Sequence, residues 1–192
     1  MTRRRHRRRR SSPLARVEDT DASGSRAPPG GAPAGLDLAL RDATPDDREL
    51  LYRVYASTRR EELAAVPWSG EQKDAFLRMQ FDAQDRHYRE HYADAAFHVV
   101  ERHGEPVGRL YVARWPDEIR IVDIALLPEH RGRGIGTALL EALLAEADAA
   151  GSGVSIHVER FNRARRLYER LGFAEVEDRG VYLLMKRPPR IR

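Results

Sequence analysis

The segment Arg131-Gly132-Arg133-Gly134-Ile135-Gly136-Thr137 constrains this chain more than any other stretch. A strand-like run, residues 119–127, leads into it, and a helical pattern running to Ala150 follows. A glycine turn between a strand and a helix brings bare backbone close to a ligand. The first amides of the helix have no intrahelical partner, and they carry the positive end of its dipole. Arg131 and Arg133 add fork-shaped cationic donors. Such a turn suits a phosphorylated ligand. It is not a P-loop, because no Lys follows Gly136. Nor is it a dinucleotide turn, which needs Gly-x-Gly-x-x-Gly after the first strand of its domain; here Gly132, Gly134 and Gly136 alternate and several elements precede them.

Those elements follow from periodicity. Residues 36–41 alternate as a first strand. Thr44, Pro45, Asp46 and Asp47 form a helix start, with Leu50, Leu51, Val54 and Tyr55 recurring behind them at helical spacing. Residues 66–70 break the chain. A second helix is expected over residues 71–92, with Phe76, Met79, Ala83 and His87 on one face and Phe81, Tyr88 and Tyr92 in a second stripe. Strands are expected at 97–102, 106–115 and 119–127. After the glycine turn, Ile135, Leu139 and Leu143 mark a buried helix face, and Gly151 and Gly153 end that helix. A strand at 154–159, a helix at 162–171 and strands at 173–177 and 181–186 complete the pattern. This order gives an α/β (α+β) layered domain, with a central, twisted, mostly antiparallel sheet flanked by helices.

The pattern Arg131-x-x-Gly134-x-Gly136 resembles the acetyl-coenzyme A loop of the GNAT superfamily of N-acetyltransferases. A second match follows it: Asn162, Ala164, Arg165, Leu167, Tyr168, Glu169, Leu171, Gly172 and Phe173. In that family this segment is the helix beside the coenzyme, leading to the hairpin that closes the sheet. The two motifs stand in the family's order, with a strand between them. The resemblance covers residues 36–187 and is clearest after Phe97. It implies acetyl-coenzyme A as co-substrate, with no metal. Residues Arg131, Gly132, Arg133, Gly134, Ile135, Gly136 and Thr137 would hold its phosphates. The strand at Ala125, Leu126 and Leu127 would splay from the strand at 154–159 and pair through its backbone with the pantetheine arm, as an added strand does. The acceptor, a primary amine on a small molecule or peptide, stays unnamed, because the segments that read it vary within the family.

Acetyl transfer from a thioester to an amine needs a base for the amine, donors for the carbonyl oxygen and a proton for the leaving thiolate. It needs no covalent enzyme intermediate, which suits a chain with no Cys. Tyr168 shares a helix face with Ala164, Leu167 and Leu171, so it points inward; the resemblance makes it the acid that protonates the sulfur. A packed tyrosine with a satisfied hydroxyl is the alternative. Asp123 lies inside a strand between Val122 and Ile124, and reads either as the general base or as a buried acid paired with Arg109 or Arg120. Glu118 is the weaker candidate because it sits at a turn. Asn162 reads as a helix cap, and the resemblance adds a coenzyme contact. Arg165 either reaches the phosphates or shares a solvated face with Arg163, Arg166 and Arg170.

Charge separates the domain from its tail. Residues 1–35 hold nine Arg and three acids, leaving 25 of 34 basic and 27 of 30 acidic residues for the rest: +6 against −2. The expected organisation is a disordered Arg/Pro/Gly-rich extension over 1–35 and an acetyl-coenzyme A-dependent domain over 36–192. No apolar run approaches the ~18 residues that span a membrane. A cytoplasmic enzyme, monomer or homodimer, is expected. Two other classes stay open. One is an acyl-coenzyme A-binding sensor or scaffold that does not transfer. The other is an acetyltransferase tethered to nucleic acid by non-specific, salt-sensitive contacts of the tail.

Overall fold

The computed structural model describes residues 36–190. The expected disordered tail over 1–35 lies outside the described residues. From Leu38 onward the chain forms β1 (Leu38–Asp42), α1 (Arg48–Ala64), α2 (Gly70–His91), β2 (Ala96–Arg102), β3 (Glu105–Arg114) and β4 (Glu118–Leu126). It continues with α3 (Ile135–Ala150), β5 (Gly153–Glu159), α4 (Arg165–Arg170), β6 (Ala174–Arg179) and β7 (Tyr182–Arg187). One sheet runs β1-β2-β3-β4-β5-β7-β6. Among the described residues only β4 and β5 pair in parallel, and α3 supplies the crossover that such a pair requires.

Helices cover both faces. Val99 packs with Leu51, Tyr52 and Tyr55 of α1 and with Leu77 and Phe81 of α2. Its neighbour Val100 turns to the other face, among Leu110, Ile121 and Ile156 and the α3 stripe Ile135, Leu139 and Leu143. Tyr168 and Phe173 extend that second cluster. Both early helix starts behave as their residues suggest. Asp47 accepts from the Thr44 amide at 2.8 Å in a short 3-10 turn before α1. Ser69 and Gln72 cap α2 reciprocally.

Two expectations need correction. In α2 the buried residues are Leu77 and Phe81, whereas Met79 is 60% exposed. The expected Phe76–Met79 face is therefore not the packed one; Phe76 instead carries Trp68 edge-on at 5.2 Å between ring centroids. The helix expected over 162–171 is shorter: Asn162 opens a turn, and only Arg165–Arg170 is α-helical.

The sheet carries one defect that matters. Tyr111 faces Asp123 while Val112 faces Ile121, so Val122 is an extra residue in β4. Such a bulge bends its strand. Pairing between β4 and β5 then stops at Ile121 and Ile156. Past that point β4 runs on to Leu126 and β5 to Glu159 with no ladder between them. The sheet forks there.

Candidate active site

The fork exposes a strand edge. The Leu127 amide donates to the Val107 carbonyl at 2.9 Å, on the β3 side. Backbone groups alternate in direction along a strand, so those of Ala125 also face β3, while those of Ile124 and Leu126 face the open edge. Of the three residues expected to present backbone there, Leu126 does so; Ile124, not Ala125, is its companion. Close approach of β3 makes this arrangement possible at Gly108, where a Cβ would stand 2.4 Å from the Ala125 carbonyl oxygen.

The glycine turn begins five residues beyond Leu126. Gly132 and Gly134 sit at φ 70° and 81°, in the left-handed region that favours glycine. Gly134 is the N-cap of α3 and offers no side-chain cap; the first helical bond is Ala138 amide to Gly134 carbonyl, 2.9 Å. The amides of Ile135, Gly136 and Thr137 therefore have no partner within the helix. A Cβ at Gly132 or Gly136 would meet no protein atom within 4 Å. Bare amides, an open edge and empty space beside the glycines together fit a phosphate ester with an extended amide-bearing arm. Arg133 is exposed in the turn. Arg131 is committed elsewhere: its guanidinium binds the Leu126 carbonyl at 2.8 Å and the Ser57 hydroxyl at 2.7 Å. Arg165 is also tied down, donating to the Arg160 carbonyl at 3.0 Å and lying near Glu169 and Glu175. Asn162 accepts from the Ala164 amide at 2.8 Å, so it caps the turn that enters α4.

Two groups meet the fork from opposite sides. Tyr168 belongs to the α3 face, with its ring buried edge-on against Phe173 at 5.7 Å. Burial, and then the charge of Asp123, push its pKa up. Tyr168 is buried, and no hydrogen bond to its hydroxyl exists among the described residues. Asp123 lies on the α2 face. Its Oδ2 accepts from Arg109 at 2.7 Å and from the Tyr88 hydroxyl at 3.2 Å. Arg109 is buried and also binds Gln84 at 2.9 Å. Of the two arginines considered for Asp123, Arg109 is thus the partner. Among the described residues no hydrogen bond to Oδ1 exists, and the Asp123 side chain is partly exposed. Burial, followed by the Asp123 charge, raises the Tyr88 pKa, so Tyr88 remains a donor to Asp123.

Arg120 serves a different cluster. It binds Glu118 at 2.9 Å and the Nδ1 of His157 at 2.8 Å. Burial tends to raise the Glu118 pKa, yet hydrogen bonds from Lys186, Ser155 and Arg120 hold it down at about 2. A carboxylate so fully engaged is a poor base. His157 stands one residue past the last β4–β5 pair, with its pKa lowered by burial and by Arg120. The acids of α2 pair locally, Asp74 with Arg78, Asp82 with Arg48 and Asp85 with Arg89. Sequence reasoning missed Tyr88, Gln84, Ser57 and Gly108; the break in alternation at Ile121-Val122 was the available signal of the bulge.

Residues 51–173, well over half of the chain, match the acetyltransferase (GNAT) family. The chain belongs to that family. A ribosomal protein bS18-alanine N-acetyltransferase of Haemophilus influenzae is 39% identical over 67 residues, 34% of this chain and 46% of the relative. A mycothiol acetyltransferase of Nocardiopsis dassonvillei is 37% identical over 106 residues, 50% of this chain and 28% of the relative. The match thus spans less than half the length of each of these curated relatives. The fold of this GNAT domain is that of the PaiA N-acetyltransferase of Thermoplasma acidophilum, solved in complex with coenzyme A: TM-score 0.59, 19% identity, 79% of this chain and 98% of that one. Among the described residues no helix is long and apolar enough to cross a membrane, and no cluster of His, Asp and Glu is placed to hold a metal ion.

Proposed function

We propose that this GNAT domain transfers the acetyl group of acetyl-coenzyme A to a primary amine by direct attack, in a complex that holds both substrates. The observation that carries this reading is the fork. It offers an unpaired strand edge ending at an uncapped helix terminus, with a tyrosine hydroxyl on the α3 face and a partly exposed carboxylate on the α2 face. The coenzyme supplies the acetyl group as a thioester. Ile135, Gly136 and Thr137 donate amides to its phosphates, and Ile124 and Leu126 pair with its amide-bearing arm. An amide of the open edge donates to the carbonyl oxygen as charge develops there. Asp123 Oδ1 takes a proton from the acceptor ammonium, directly or through one water, so that the neutral amine can attack the thioester carbonyl. As the new C–N bond forms and the C–S bond breaks, Tyr168 gives its proton to the departing sulfur. Its raised pKa keeps that proton in place at neutral pH.

The two curated relatives are named as a ribosomal protein bS18-alanine N-acetyltransferase and a mycothiol acetyltransferase, so both peptide and small-molecule amines belong in a first screen. Cytoplasmic location is part of the same reading. The deciding experiment measures free-thiol release from acetyl-coenzyme A by the full chain with a panel of alanine-leading peptides and small amines. Amine-dependent release, lost in Tyr168→Phe, supports transfer. Saturable acetyl-coenzyme A binding without release from any amine favours the sensor reading instead.

A further inference from the structure

Arg131 opens the glycine turn, yet its guanidinium is held by the protein. Nε donates to the Leu126 carbonyl at 2.8 Å, on the open edge of β4. Nη2 donates to Ser57 Oγ at 2.7 Å, and the Ser57 hydroxyl donates in turn to the Val54 carbonyl within α1 at 2.7 Å. Two residues further along α1, Arg59 pairs with Glu159, the last residue of β5, at 2.6 Å. Positions two apart on a helix project about 200° apart. Ser57 and Arg59 therefore leave α1 on opposite flanks, and each lands on a different arm of the fork. Among the described residues no hydrogen bond or ion pair joins residues 122–126 directly to residues 157–159. At the base of the fork Arg120 holds His157; beyond it, the polar ties between the arms run through α1.

We propose that α1 is a brace that sets the width of the fork, with Ser57–Arg131–Leu126 and Arg59–Glu159 as its two rungs. Arg131 is then a positioning residue and not a phosphate ligand. This inference rests on the reading that the arm of the coenzyme lies in the fork. The same Leu126 carbonyl that Arg131 holds is one of the few groups the open edge offers, so Arg131 also decides which edge groups remain free for that arm: the Leu126 amide and both groups of Ile124. A brace needs both rungs. Cutting either one frees an arm, and cutting the second then changes little. Contacts that acted independently would multiply their effects instead.

Calorimetry on the full chain tests this with two probes: acetyl-coenzyme A, and adenosine 3′-phosphate 5′-diphosphate, which carries the pyrophosphate without the arm. Ser57→Ala and Arg59→Gln should each weaken acetyl-coenzyme A by about 3- to 10-fold, the scale of one charge-assisted hydrogen bond at a partly exposed site. The double variant should lie within about twofold of the weaker single variant. Arg131→Gln should weaken acetyl-coenzyme A to a similar degree and leave the second probe unchanged. In steady state these variants should raise KM for acetyl-coenzyme A while turnover at saturation stays near wild type. Equal loss of both probes in Arg131→Gln would make it a phosphate ligand and overturn the proposal. Wild-type affinity in Ser57→Ala and Arg59→Gln would overturn it as well. A wild-type chain that bound neither probe would overturn the coenzyme reading itself, a result readily told apart from the other two.

Discussion

Among the described glycines, Gly108→Ala should damage the domain more than any other single-methyl change. Gly108 lies opposite Leu126 in the β3–β4 ladder. A Cβ there would stand 2.4 Å from the Ala125 carbonyl oxygen, 2.7 Å from Leu126 Cδ2 and 3.0 Å from Leu126 Cα. Only the Cδ2 belongs to a side chain that can rotate away. The other two atoms are backbone of the β4 arm, so relief requires that arm to move by about an ångström in a close-packed interior. Overpacking of this kind costs about 1–3 kcal/mol, and a clash with fixed backbone belongs at the upper end. At about 2–4 °C per kcal/mol for a domain of this size, the melting temperature should fall by roughly 6–12 °C. The displaced arm carries the open edge at Ile124 and Leu126, so acetyl-coenzyme A affinity should fall with it. Scanning calorimetry with and without acetyl-coenzyme A measures both. Gly136→Ala is the size-matched control, because a Cβ at Gly136 meets nothing within 4 Å and its φ is unremarkable. A Gly108→Ala protein melting within about 2 °C of wild type, under one kcal/mol by the same scaling, would refute the packing argument.

The other predictions concern the site and the charges that support it. Gly136→Ala should leave the melting temperature unchanged and weaken acetyl-coenzyme A by at least about tenfold, because its methyl occupies the space that the helix amides leave for phosphate; unchanged affinity would move the phosphates elsewhere. Tyr168→Phe should retain coenzyme binding and lower turnover by about 10²- to 10⁴-fold, the usual worth of a general acid. The raised pKa of Tyr168 further implies that rate does not fall on its account through mildly alkaline pH; an alkaline limb near neutrality that vanished in Tyr168→Phe would contradict this. Stability should decline in two stages on acidification. Burial and Arg120 lower the His157 pKa, and burial lowers that of His98, so the unfolded chain takes up these protons first and stability starts to fall below about pH 6.5. Asp47 and Asp148, each held at about 2 by an arginine, and Glu118, also at about 2, contribute fully above their ordinary carboxylate range and lose that contribution as pH falls toward 2. A melting temperature that stays flat from pH 7 to pH 3 would show that these networks do not support the fold.

Much of this architecture is legible before any coordinates. The glycine turn is legible because φ near +70° to +81° at Gly132 and Gly134 leaves few other residues free to stand there. The strand–turn–helix unit follows from it. The packed face of α2 is less legible for a physical reason. Two apolar stripes compete in that helix, and periodicity cannot rank them; the partner decides, and Val99 of the sheet takes Leu77 and Phe81. Arg131 is ambiguous in a different way. A guanidinium suits carbonyl, hydroxyl and phosphate oxygens alike, so only the fold shows that its donors go to Leu126 and Ser57.

The bulge at Val122 joins the legible part to the chemistry. Without it, Arg120 and Asp123, three residues apart on one strand, would face opposite sides of the sheet. The extra residue brings both to the α2 face. There Arg120 closes the base of the fork on His157, and Asp123 reaches Arg109 and Tyr88. The same bend ends the β4–β5 ladder at Ile121, which opens the edge that the coenzyme reading requires. One inserted residue therefore both opens the groove and turns a carboxylate to the α2 face, while Tyr168 lies on the α3 face, close enough to feel the Asp123 charge. In the proposed reaction the acid and the base would then stand on opposite faces of one sheet, with the transferring carbonyl between them in the fork. A proton taken from the amine on one face and a proton given to the sulfur on the other need no shared group and no shuttle across the sheet.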